Sequence, residues 1–173
     1  MSGVSRIGLL IFVAAILQVA VFWSVEIVGG TPDLVLVTLI SIALLRGSIT
    51  GAAVGFAGGL LVDVGTLGTL GVTSLLLTVA GYWAGRYGET TGRDRPHAPP
   101  LALVVITLFA GVAAYALHYM LGEEISARHA LITTLLPAVV LNVVVGMPVY
   151  VLCRAMLRQL AAPQRAKEVE LLV

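Results

Sequence analysis

From residue 7 to 25, from 101 to 121 and from 130 to 153 the chain carries no Asp, Glu, Lys or Arg. Each stretch comes close to or exceeds the roughly 20 apolar residues that a helix needs to cross a ~30 Å hydrocarbon layer. Hydrophobic residues make up 59% of the 173 and charged residues 11%, whereas a soluble domain carries about 25% charge. Lipid is therefore the solvent for most of this chain, and its length leaves room for a single bundle. The first run is longer than the roughly 7–15 residues of a signal-peptide core, so it reads as a retained helix. A net charge of +1 gives no nucleic-acid footprint. The lone Cys153 has no partner for an internal disulfide and reads as a small buried hydrophobe.

The difficult region is 31–62, which Arg46 divides. One helix across it would be about 45 Å long, with an arginine near its middle costing at least ~2.5–3.5 kcal/mol. Two shorter helices with Arg46 in a tight turn avoid that cost. A re-entrant hairpin is the competing geometry. In "TPDLVLV", Thr31 can cap, Pro32 suits a first helical position and Asp33 favours the positive end of the helix dipole. The reading is an all-α membrane protein, a six-helix transmembrane bundle with spans at about 7–25, 31–45, 47–62, 68–85, 101–121 and 130–153. A polar loop covers 86–100 and a tail 154–173. With the amino terminus inside, all ten Lys and Arg except Arg128 fall on one face, which places both termini in the cytoplasm by the positive-inside rule.

In "GSITGAAVGFAGGLLVD" glycine recurs at every fourth position, Gly47, Gly51, Gly55 and Gly59, and Asp63 closes the run. Glycine inside a soluble helix costs about 1 kcal/mol relative to alanine. In lipid it has a use, because small residues let helix backbones approach. The stripe serves either packing inside the bundle or a partner's helix. A second small-residue pattern, Ala80 and Ala84 with Gly81 and Gly85, follows in the next span. Asp63 has three readings: a helix-end residue, a partner for a basic group on another chain, or a proton or ion site. Gln18, His118 and Asn142 are isolated polar groups within or near the apolar runs, best read as interhelical hydrogen bonds. No HExxH, CxxC, P-loop or GxSxG pattern is present, so no catalysis, cofactor or metal is expected.

The segment from "TPDLVLV" through "GFAGGLLVD" to "GYWAGR" resembles the core of the rod shape-determining protein MreD family. The motif positions are Pro32 and Asp33, then Gly55, Phe56, Gly59, Leu60 and Asp63. The resemblance implies a non-enzymatic scaffold of the bacterial inner membrane, part of the cell-elongation machinery that directs peptidoglycan synthesis. It implies binding to the single-span protein MreC, and links to RodA with its class B penicillin-binding protein and to MreB. The family fold is similar to the S subunits of energy-coupling-factor vitamin transporters, which gives the alternative: a membrane component that binds a small molecule or vitamin for transport. The partner interface is expected on the glycine face, Gly47 to Gly59, or on the surface near Asp63.

Overall fold

The computed structural model describes residues 3–20, 31–67, 69–91, 97–122 and 134–158. They form six helices: α1 (Gly3–Ala20), α2 (Leu34–Arg46), α3 (Ser48–Thr66), α4 (Val72–Thr91), α5 (Ala98–Met120) and α6 (Leu135–Arg158). There is no strand among the described residues. The far end of the first expected span (21–25), the start of the last (130–133), residues 92–96 of the polar loop and the tail from 159 lie outside the described residues.

Four helices, α1, α3, α5 and α6, are long and apolar enough to cross a membrane. α2 is different. It has 13 residues, about 20 Å at 1.5 Å rise per residue, which is short of the hydrocarbon thickness. It compensates by position. Every residue from Val35 to Leu44 is buried, and α2 packs against all five other helices. A helix apolar on every side belongs at the centre of a bundle, and α2 is the post around which the others stand.

A short central helix must begin where there is little water for its first N–H groups. Three side chains meet this need. Asp33, the N-cap, accepts from Leu36 N through Oδ1 at 2.9 Å. Gln18 Oε1 of α1 accepts from Leu34 N at 2.7 Å. Asn142 Oδ1 of α6 accepts from Asp33 N at 2.8 Å. The cap is thus Asp33 and not Thr31, and helix geometry starts at Leu34. The isolated Gln18 and Asn142 are the distant caps of α2.

The turn between α2 and α3 falls one residue later than Arg46. Arg46 is the last helical residue, and Gly47 makes the turn with φ 99°, a conformation that favours glycine. Arg46 is half-buried, and its Nη2 is shielded without a hydrogen-bond partner among the described residues. Near this turn, Ile42 clusters with Ile7, Cys153 and Leu157. Arg6 reaches across to donate to the carbonyl of Met156 at 3.3 Å. The bundle therefore has an arginine end, with Arg6, Arg46, Arg86 and Arg154, and an acidic end, with Asp33 and Asp63. α5 opens at the arginine end with prolines in its first turn, where a missing N–H costs nothing. It packs on α6 by setting leucines into glycines: Leu103 lies against Gly146, and Leu135 against Gly111.

Candidate functional site

The residues singled out in the sequence fall into two places. The first is the seam between α3 and α4, the most extensive helix pair among the described elements. The glycine stripe faces this seam. A Cβ at Gly51 would strike the Gly81 carbonyl, at Gly55 the Leu77 carbonyl and at Gly59 the Cα of Ser74, all closer than 3.0 Å. From the other side, a Cβ on Gly81 would strike the Gly51 carbonyl, and one on Gly85 would strike Gly47 and Ser48. The face from Gly47 to Gly59 is taken up by α4. Backbone rests on backbone along its length, which only residues without bulk permit.

Each end of the seam is closed by a carboxylate from the opposite helix. Asp63, near the end of α3, accepts at Oδ2 from Gly71 N at 2.8 Å and Ser74 N at 3.3 Å. Its Oδ1 accepts from Thr73 N at 3.3 Å. Those are the first N–H groups of α4, where the helix dipole favours negative charge. The connecting turn is built to allow it: Leu67 caps α3 in the left-handed region at φ 53°, and Gly71 has φ +97°. Asp63 is only 2% exposed, and these backbone donors satisfy its carboxyl inside the fold. At the arginine end the relation is mirrored. Glu89, near the end of α4, accepts from Ser48 N at 2.8 Å, and the Ser48 hydroxyl donates to both its oxygens. Arg86 lies 3.5 Å from it. The Ser48 N–H holds the Glu89 carboxyl below its usual range, against partial desolvation, with smaller help from the Ser48 hydroxyl and Arg86. α3 and α4 thus cap each other. No sequence spacing pairs Glu89 with Ser48, 41 residues apart.

Two motif residues do not serve this seam directly. Leu60 is half-buried and Phe56 is exposed, at 54%, although the Phe56 carbonyl accepts from the Ser74 hydroxyl at 3.0 Å. Phe56 shares its face with Ala53, Ala57 and Val64, all exposed. Ala53-x3-Ala57 repeats the small-residue spacing on the side of α3 turned away from α4. That helix is lean on two faces, one used within the fold and one open.

The second place is a cavity of about 510 Å³ at the acidic end, bounded by α2, α4, α5 and α6. Asp33, behind the buried Pro32, contributes to its wall together with Thr107, Tyr115, His118 and Asn142. Asn142 Nδ2 donates to Thr107 Oγ1 at 3.4 Å. A third space, an apolar cleft of about 450 Å³ between α4 and α5, is lined by Trp83, Tyr87, Leu101, Val105 and Phe109. Among the described residues, no group of three His, Cys, Asp or Glu could hold a metal ion.

Helices this apolar, arranged round a buried post with their polar groups turned inward, define a multi-pass α-helical membrane protein. Compared with known protein families, residues 2–160 match MreD, rod shape-determining protein MreD. The chain belongs to the MreD family, a family of structural membrane proteins that act in rod shape determination. Comparison with curated proteins and with solved structures finds no significant match.

Proposed function

We propose that this chain is a non-catalytic scaffold in the bacterial inner membrane that docks the single transmembrane helix of MreC and so helps organise peptidoglycan elongation. Family membership over residues 2–160 is the observation that carries this reading. The segregation of arginines to one end favours an orientation with that end, and both termini, in the cytoplasm. RodA, its class B penicillin-binding protein and MreB are further members of the assembly on this reading.

The docking surface follows from where α3 has room. Its glycine face is filled by α4, and Asp63 is turned inward to the start of α4. The opposite face, Ala53, Phe56, Ala57 and Val64, is exposed, apolar and lean. In lipid, helices associate by close packing, with no gain from merely leaving the solvent. A pair of alanines four residues apart beside a protruding phenyl ring offers a partner helix both a groove and a knob. The glycine stripe and the two caps serve docking indirectly, by holding α3 rigid against α4.

Co-purification tests this. Phe56→Ala and Ala57→Leu, both on an exposed face, should leave thermal unfolding of the isolated chain near wild type and lower the recovery of MreC several-fold. Wild-type recovery of MreC with both variants would remove the surface from the proposal.

A further inference from the structure

The cavity at the acidic end has a composition that packing alone does not require. Its volume, about 510 Å³, lies within the roughly 300–1,000 Å³ of small-ligand sites. Its polar capacity is uneven. Asn142 is committed, with Oδ1 on Asp33 N and Nδ2 on Thr107. His118 Nδ1 sits 2.8 Å from the Ala114 carbonyl. A carbonyl only accepts, so Nδ1 carries the hydrogen and is committed to α5. Asp33 accepts from Leu36 N, and an ionised carboxylate has about four acceptor positions, so capacity remains. Tyr115 adds an aromatic face and a phenol.

Charge narrows the choice. Among the described residues, Asp33 is the one formal charge on the cavity wall, and no Lys or Arg lines it. The α2 N-terminus would favour an anion, but its first N–H groups are taken by Asp33, Gln18 and Asn142. An anion here would meet a carboxylate and, among the described residues, no cationic side chain. A wholly apolar guest would leave the remaining acceptors unmatched. A donor-rich cation matches both remaining features, a carboxylate and an aromatic ring.

We propose that this cavity binds a ligand bearing a protonated amine, with Asp33 as its counter-charge and Tyr115 and His118 as neighbouring contacts. The amine could belong to an ethanolamine lipid headgroup or to a free small amine, and the chemistry is the same. This inference is independent of the proposed MreC docking, which uses α3, whereas the cavity is bounded by α2, α4, α5 and α6.

Two arms test it on the full chain. In the first, protein is released from nanodiscs of equal phosphatidylethanolamine and phosphatidylglycerol, and retained lipid is measured by native mass spectrometry. In the second, lipid-depleted protein in detergent is titrated with 2-phenylethylamine, or with the uncharged 2-phenylethanol, and the unfolding temperature is followed. The key variant is Asp33→Asn, because asparagine keeps the N-cap while removing the charge. Tyr115→Leu supports it without touching the α2 cap. Preferential, Asp33-dependent retention of phosphatidylethanolamine, weakened about tenfold by D33N, assigns the site to a lipid headgroup. An Asp33-dependent rise in unfolding temperature with the amine but not the alcohol assigns it to a free amine. The proposal is overturned if phosphatidylglycerol is retained equally and the alcohol shifts unfolding as much as the amine. It is also overturned if neither lipid nor amine responds to D33N and Y115L in variants that unfold like wild type.

Discussion

At the scale of single residues, the two acids of the α3–α4 seam stand out for what they neutralise. Asp63 has no cation beside it among the described residues. Three backbone N–H groups hold it instead. Removing such an acceptor leaves buried donors unpaired, at about 1–3 kcal/mol for each group so orphaned. Asp63→Ala should therefore lower the unfolding temperature in detergent clearly, and Asp63→Asn, which keeps one carbonyl acceptor, by less. Equal stability of all three proteins would show that the cap carries no weight. Glu89 adds a pH dependence. Its folded-state pKa lies below the unfolded value, so its contribution is fully present above the unfolded carboxylate pKa and is lost as pH falls through the folded one. An acid titration of unfolding temperature should show a decline in that window, part of which disappears in Glu89→Gln. The Glu89 side chain is partly exposed, so its share is small and diminishes with salt.

At the scale of elements, the glycine stripe predicts a sharp contrast between two helical glycines. A methyl on Gly55 would meet the Leu77 backbone, which cannot rotate away, whereas one on Gly8 meets nothing within 4 Å. Gly55→Ala should cost on the order of 1–3 kcal/mol by overpacking, and Gly8→Ala nothing, as read by thermal unfolding or by yield of folded protein. The stripe itself was plain in the sequence, since a four-residue period marks one helix face. Its occupant was not, because the period says nothing about which neighbour fits, and small-residue faces occur on α4 and on both sides of α3. The Arg46 break was legible from its insertion cost, yet the bend sits at Gly47, where positive φ is easiest. Gln18 and Asn142 could be read as polar groups needing partners. That both serve the N-terminus of α2 depends on α2 being central, which follows from its contacts with five helices and not from its own thirteen residues. The sequence alone also allows Asp63 to face a basic group on another chain. The left-handed Leu67 and the φ of Gly71 fold the start of α4 over it instead, a turn signal present in "VGTLGTLG" but ambiguous without the backbone.

At the scale of the whole molecule, the described residues form a buried post, α2, beside a mutually capped helix pair, α3 and α4. Family membership gives this bundle a role in rod shape, and the proposal adds how it would act: a rigid α3 presented to a neighbouring single helix. Placing a photo-crosslinking amino acid at position 56 in living cells tests this most directly, with position 82 on the exposed side of α4 as the comparison. Illumination should trap MreC from position 56 and not from position 82. Capture of MreC from Tyr82 with none from Phe56 would place the partner on another face and contradict the docking surface argued for α3.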